Sequence, residues 1–258
     1  MQDVQSGEVI WEHDPNTLLR TASVAKVFVL VELADAIRAG RLSEDTLLDR
    51  RQVAPVGDSG LWQHLDVSLL PTGDVARLVG SVSDNWATNV LIDRLGLDAI
   101  QLRARAITSR GSMLNDRVRD ERPPGTPDTL SVGCASDWAT LFANLVSGVL
   151  VSSTVSELVL GWLSTSMDLS MVASAFGLDP LSHVQPTDGL RLWNKTGTDH
   201  GVRADVGAVV TEGRQLAYAV ICNWPADADA PRPAVMGAMR EIGNEILALI
   251  KGQASSSP

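Results

Sequence analysis

Cysteine is almost absent from the 258-residue chain: only Cys134 and Cys222 occur, too few and too isolated for a metal knuckle or a stapled scaffold. Both are expected to be buried apolar fillers rather than a disulfide. The four histidines, His13, His64, His183 and His200, lack the H-x-x-x-H or H-E spacing of a metal centre, so no metal is expected. Long apolar runs are missing too. The stretch 27–33 is interrupted by Glu32, well short of the ~20 residues a membrane-spanning helix needs. Positive charge is scarce, with 21 Lys and Arg against 31 Asp and Glu and a net charge of −10. That balance argues against nucleic acid or an anionic membrane as the main partner. The start, Met1-Gln2-Asp3, lacks the basic segment and apolar run of a secretion signal, which leaves a cytoplasmic protein or a trimmed secreted form. No serine sits in a G-x-S-x-G elbow, which weakens a Ser-His-Asp reading built on His200.

What is present is core material. Hydrophobic residues make up 45% of the chain, enough for one large core or two smaller ones. Residues 7–12 mix apolar and polar positions around Val9, Ile10 and Trp11 as a half-buried strand does, and Asp14-Pro15-Asn16 reads as a turn. Residues 23–39 contain no Gly or Pro and are apolar nearly all round at their start, the pattern of a helix through a domain centre, ended by Gly40. The interval 43–186 is dominated by helical patterns, among them 72–82 and 85–95, the latter closed by Gly96. From 187 onward the pattern turns to β, with strands expected at 191–195, 204–211 and 215–222, then an amphipathic helix over 235–250. The expected architecture is an α/β part made from 1–42 and 187–258, with an all-α part, 43–186, inserted between them. The low-complexity tail 252–258 is expected to be disordered.

Three short motifs carry chemistry. Ser23-Val-Ala-Lys26 opens the buried helix, and a spacing of three puts hydroxyl and amine on one face. Burial and the helix dipole lower a lysine's pKa and let it act as a base; the alternative is that Ser23 only caps the helix. Ser83-Asp84-Asn85 falls between two helical patterns and reads either as an N-cap or as a presented hydroxyl and amide. Lys195-Thr196-Gly197 closes a β segment, where a cation and a hydroxyl can meet an anion and the glycine lets a ligand approach the backbone.

In this order the motifs S-x-x-K, S-D-N and K-T-G resemble the signature of class A β-lactamases and penicillin-binding proteins. The resemblance extends to SGEVIWEHDPNTLLRTASVAK, SVSDNWATNVLIDRLG and NKTGTDHGVRADVGAVV. It implies a β-lactamase-like antiparallel sheet flanked by helices, with the site in the cleft between the two parts. It further implies a serine hydrolase in which Ser23 attacks a lactam or peptide carbonyl, with Lys26 as base or proton relay and Ser83 passing a proton to the leaving nitrogen. Backbone N–H groups of Ser23 and Thr198 would form the oxyanion hole. Asn85 would hold the acylamide side chain, and Lys195, Thr196 and Arg203 the substrate carboxylate, Arg203 being alternatively a solvated strand charge. The partner is a small acyl substrate, with no metal or organic cofactor.

Two features depart from the resemblance. The E-x-x-L-N stretch, whose glutamate positions the deacylating water, is missing. The region 114–133 offers only Asp116, Asp120, Glu121 and Asp128 as carboxylates, of which Asp116, Asp120 or Glu121 could substitute or merely pair with Arg117, Arg119 or Arg122. The expected protein is therefore a true lactamase with a displaced carboxylate, a slow penicillin-binding hydrolase or peptidase, a small-ester hydrolase, or an acyl-trapping binder. Only residues 1–6 precede the first β segment, which leaves a sheet edge uncovered and favours a homodimer. Trp62 and Trp86 are candidates to wall the cleft; the other five tryptophans, Trp11, Trp138, Trp162, Trp193 and Trp224, are expected in the core.

Overall fold

The computed structural model describes residues 1–225 and 231–252. In chain order the elements are β1 (Gln2–Asp3), β2 (Leu19–Arg20), a 3-10 turn (Ala22–Ala25), α1 (Lys26–Arg38), β3 (Leu47–Asp49), β4 (Leu69–Pro71), α2 (Thr72–Val82), α3 (Asn85–Leu95) and α4 (Leu97–Ile107). There follow β5 (Met113–Leu114), β6 (Ser131–Gly133), α5 (Ala135–Val146), α6 (Ser153–Leu163), β7 (Arg191–Asp199), β8 (Val202–Val210), β9 (Gln215–Asn223) and α7 (Arg232–Ile250).

Helix α1 is the axis of the molecule. Every residue from Lys26 to Ala36 is buried, because the helix is surrounded by α3, α4 and α6. Glu32 and Asp35 are tolerated there only as partners of arginines: Arg103 bonds Glu32 at 3.0 Å, Arg41 bonds Glu32 at 3.1 Å, and Arg38 bonds Asp35 at 2.7 Å. Gly40, at φ +70°, turns the chain out of α1 while its N–H and that of Arg41 return to the carbonyls of Ile37 and Ala36. A left-handed glycine just past a helix end is the usual way to satisfy such carbonyls.

The main sheet is antiparallel, with order β1-β9-β8-β7. Alternation along its strands sorts side chains to two faces. Ala204, Val206, Ala208, Ala217 and Ala219 belong to the core around α1 and α5, while Leu192, Val209, Leu216 and Tyr218 belong to a second core with Met239, Ile246 and Ile250 of α7. The small residues on the first face let α5 lie close on β8 and β9. Two lesser sheets, β2-β6-β5 and β3-β4, complete the architecture. Among the described residues no helix is long and apolar enough to cross a membrane.

Helices α2 and α3 fall on the expected residues, and β8, β9 and α7 match to within a few residues. Three expectations change. Residues 7–12 form no strand; Val9 makes one isolated bridge to Gln2, and Ile10 and Trp11 spend their N–H groups on the Met1 carbonyl. Trp11 is correspondingly 52% exposed rather than in the core. Strand β7 does not stop at Lys195 but runs through Lys-Thr-Gly to Asp199. The outer edge of β9 is partly covered: β1 pairs with Leu216 and Ala217, and the Asn223 side chain exchanges hydrogen bonds with the Arg20 backbone at 2.8 and 2.9 Å. Both cysteines are free, Cys134 buried and Cys222 half-buried. The tail beyond Gly252 lies outside the described residues.

One close approach fixes how α2 meets α6. A β-carbon on Gly80 would stand 2.1 Å from the Trp162 carbonyl oxygen. Gly→Ala inside a helix ordinarily gains about 1 kcal/mol from propensity, but here the backbones would have to separate. Gly80→Ala is expected to destabilise the protein by about 2 kcal/mol or more in urea unfolding, overpacking outweighing propensity.

Candidate active site

The cleft of about 890 Å³ is lined by residues from six places: the 3-10 turn, residues 58–59, the α2–α3 junction, the 118–130 segment, residues 166–168 and β7. Ser23 is the second residue of the 3-10 turn and caps nothing; the caps of the turn and of α1 are Thr21 and Ala25, neither through a side chain. The residue before it, Ala22, is held at φ +47°, a conformation a β-carbon disfavours. What holds it is visible. The Ser131 hydroxyl donates to the Ala22 carbonyl at 2.7 Å and meets the Thr21 hydroxyl at 2.8 Å, and Val24 N–H bonds the Thr21 carbonyl. Strain retained beside a potential nucleophile by dedicated bonds is a mark of a functional turn.

Lys26 lies beneath this turn, fully buried. Its amine donates to the Ser83 carbonyl at 2.6 Å, the Asn85 side-chain oxygen at 2.6 Å and the Ser83 hydroxyl at 3.2 Å. These bonds go to the S-D-N segment and not to Ser23. Desolvation, with help from the charge on Lys195, holds the Lys26 pKa well below the ordinary lysine value, against weaker pulls from Asp84 and Asp58. An amine so placed is poised to accept a proton.

The S-D-N segment divides its labour. Ser83 sits at φ +55° between α2 and α3 and lines the cleft. Asp84 faces inward, accepting from Ala87 N–H as the N-cap of α3 and from Leu61 and Trp62 N–H, all at 2.8 Å. It therefore ties the 60–62 loop to the helix start. Asn85 gives its oxygen to Lys26 and donates an N–H to the Gly57 carbonyl at 2.8 Å, so its amide is partly committed to the protein itself.

On β7, Lys195, Thr196 and Thr198 line the cleft, whereas Gly197 and Arg203 do not. Gly197 serves packing rather than ligand approach: a β-carbon there would stand 2.1 Å from the Thr21 carbonyl oxygen. Glycine is what lets β7 press on the turn that carries Ser23. Strand β7 is the sheet's edge, and Asp199 and Val202 close the two-residue turn to β8. Thr198 is the next residue in the alternating ladder, so its N–H points away from β8. Arg203 is buried, with its guanidinium on the carbonyls of Val202 and Asp199 at 2.6 and 3.1 Å and 5.9 Å from the Trp224 ring. That corrects its reading as a solvated charge.

A buried carboxylate network lies behind β7, and no motif pointed to it. Burial depresses the Lys195 pKa to about 8 against the pull of Asp168 and Asp205. Burial raises Asp205 to about 7, although Asn194, the Ala173 N–H and Tyr218 bond it. The tryptophans proposed as walls are elsewhere: Trp62 is fully buried and bonds the Val67 carbonyl, while Trp86 stacks under Arg50 at 4.8 Å. His200 is exposed in the β7–β8 turn.

The carboxylates offered as replacements for the missing glutamate disperse. Asp116 is buried and paired with Arg119 at 2.6 Å and Arg122 at 3.2 Å. Glu121 is exposed and does not line the cleft; Asp120 and Asp128 do. The Asp120 carboxylate accepts from Gly57 N–H at 3.0 Å. Val118 also lines the cleft, with its N–H and carbonyl clamped by Asn89 at 2.8 and 2.9 Å.

A family model described as the beta-lactamase enzyme family matches residues 1–250. The chain belongs to that family. Among solved structures, this member is similar to a beta-lactamase from Sphaerobacter thermophilus DSM 20745, with 26% identity, a TM-score of 0.79, and 95% of this chain and 88% of that one covered. A mutant of PBP-A solved as an acyl-enzyme complex with penicillin-G gives 21% identity and a TM-score of 0.79 over 97% of this chain and 88% of that one. The chromosome-encoded beta-lactamase of Vibrio parahaemolyticus gives 18% and 0.75 over 96% and 91%. The last two likenesses show the shared fold. No match was found among curated proteins.

Asp205 gives this beta-lactamase family member a testable pH dependence. Its folded pKa, about 7 against 3.8 for the free group, means the folded state holds the proton more tightly. Its contribution to stability is therefore present below about pH 4 and is lost as pH rises through 7. Asp205→Asn is expected to leave stability near pH 4 little changed and to raise it near pH 8, by up to about 4 kcal/mol for a three-unit shift, measured by denaturant unfolding at the two pH values.

Proposed function

We propose that the protein is a serine acyl-transfer enzyme that is acylated at Ser23 by β-lactams or related acyl donors and releases the acyl group slowly. The observation that carries this reading is the buried Lys26 amine, which bonds Ser83 and Asn85 and has its pKa driven down by desolvation. In the acylation step the Ser23 oxygen attacks the carbonyl carbon while its proton passes to neutral Lys26. The oxyanion is met by the N–H groups of Ser23 and Thr198. As the carbon–nitrogen bond breaks, the proton reaches the leaving nitrogen through Ser83, whose hydroxyl is 3.2 Å from the Lys26 amine. The product is an ester at Ser23. Nucleophile and base need not bond in the unliganded state, since such contacts tighten with substrate in place.

Slow release is supported by Val118. Deacylation needs a base to activate water, and the cleft-lining residue clamped by Asn89 carries an isopropyl group instead. A second reading, a β-lactamase with a displaced carboxylate, has one observation in its favour. Asp120 lines the cleft and is linked through the Gly57 peptide to Asn85 and so to Lys26.

Intact-protein mass after mixing with penicillin G, followed from seconds to hours, tests both. The wild type is expected to gain one ligand mass and keep it, Ser23→Ala to gain none, and Lys26→Met to acylate at least about a hundredfold more slowly. Val118→Glu is expected to shorten the adduct's lifetime at least tenfold, and Asp120→Asn to leave it unchanged. An adduct that clears quickly in the wild type and persists in Asp120→Asn would establish the second reading instead.

A further inference from the structure

The Lys195–Thr196 end of the cleft already contains a carboxylate. Asp168, on the segment after α6, lines the cleft together with Lys195 and Thr196. Its Oδ2 accepts the Thr196 hydroxyl proton at 2.7 Å, and its Oδ1 accepts from the Ser170 hydroxyl at 2.6 Å and the Ser170 N–H at 3.1 Å. Its own carbonyl is bonded by Asn194 at 3.2 Å. Both oxygens are thus held, and the backbone that carries them is anchored to β7. Burial pushes this carboxyl up, but the Ser170 and Thr196 hydrogen bonds and the charge of Lys195 outweigh it and keep the group below the usual carboxylate range, ionised at neutral pH.

Lys195 and, through space, Arg203 offset part of that charge, but the lining as a whole is acidic. Five carboxylates line the cleft, those of Asp58, Asp120, Asp128, Asp168 and Asp199, against the cations Lys195, Arg119 and Arg122. Arg119 and Arg122 are paired with Asp116, and Arg203 is turned onto backbone carbonyls. A ligand carboxylate entering at Lys195 would meet a fixed negative charge and a hydroxyl whose proton is already donated. Like charges in a partly desolvated site repel.

We propose that Asp168 is a specificity-determining residue: its carboxylate takes the Thr196 hydroxyl proton and sets a negative charge beside Lys195, whose amine donates to the Thr196 carbonyl at 2.9 Å, so the anion subsite is blocked and the enzyme takes acyl donors that are uncharged at the end beside the scissile bond. The subsite assignment stands on the hydrogen bonds above; its consequence for acylation rests on the reading of Ser23 as nucleophile. Removing the charge while keeping the shape opens the subsite to an anion.

The test uses the whole chain and Asp168→Asn, with Asp168→Ser as a second variant should the first fail to fold, and two separate readouts. The first is melting temperature against 0 to about 20 mM sulfate, with chloride at matched ionic strength. Sulfate is expected to stabilise the variant more than the wild type; equal stabilisation of both, or of neither, overturns the subsite assignment. The second is the rate of Ser23 acylation by penicillin G and by its methyl ester. The wild type is expected to acylate with the ester at least as fast as with the acid. The variant is expected to gain ten- to a hundredfold toward the acid, corresponding to about 1.4 to 2.8 kcal/mol, with the ester within threefold of wild type. An acid-to-ester ratio unmoved by the substitution, or a wild type that already prefers the acid tenfold, overturns the specificity role. If sulfate distinguishes the two proteins but neither ligand acylates either, the blocked subsite is supported and the Ser23 reading fails.

Discussion

A lysine amine enclosed at the centre of a domain without a carboxylate bonded to it is the constraint around which the rest of this molecule is arranged. Burying an unpaired ammonium costs several kcal/mol, so Lys26 is tolerated as a neutral base or as a cation bound by oxygen dipoles. The protein supplies the dipoles: the carbonyl and hydroxyl of Ser83 and the side-chain oxygen of Asn85. Those atoms point inward only because α2 ends in a left-handed residue and α3 starts under the Asp84 cap. Asp84 in turn draws the 60–62 loop so close that a β-carbon on Gly60 would stand 2.4 Å from its carboxyl carbon. Removing a partner from this chain of contacts leaves a buried polar group unsatisfied, which is expensive in a low-dielectric interior.

Much of this was legible in the sequence because it depends on local pattern. The apolar run of α1, the helices at 72–82 and 85–95, and the β-rich end are periodicities that burial enforces directly. The motif residues Ser23, Ser83, Asn85, Lys195, Thr196 and Thr198 do come together at one cleft, with Lys26 under it. The roles of the glycine and the aspartate within the motifs were less legible, since they are set by partners distant in sequence. Gly197 answers to Thr21 and Asp84 to residues 61 and 62. Trp62 reads as an aromatic wall by proximity to a loop, but its ring fills the core while its N–H reaches Val67. Asp168, Asp205 and Ser131 belong to no motif. Each acts across a tertiary contact, and only the fold brings them to the site.

The acid-base character of the cleft is likewise a property of the assembly rather than of single residues. The charge of Lys195 lowers the readiness of Lys26 to carry its own, and burial does the same to both lysines. Asp205, behind the strand, and Asp168, at the cleft wall, work in the opposite sense, sustaining a proton on Lys195. Asp205 titrates near neutrality itself, so the charge behind β7 changes over the pH range in which Lys195 also changes.

Acylation and deacylation are separate chemical steps, and on the proposed reading they fall to parts of the fold with different structural obligations. The acylating atoms sit where three elements interlock. The strained turn at Ala22 is held by Ser131, the α2–α3 junction by Asp84, and β7 is set against the turn by Gly197. A change at any of these disturbs packing as well as the shape of the cleft. Position 118 is different. Val118 is held by its backbone through Asn89, while its side chain packs against the core around α1 and lines the cleft. On the proposed reading an apolar side chain there offers water no base, and this separates the capacity to form an acyl-enzyme from the capacity to clear it.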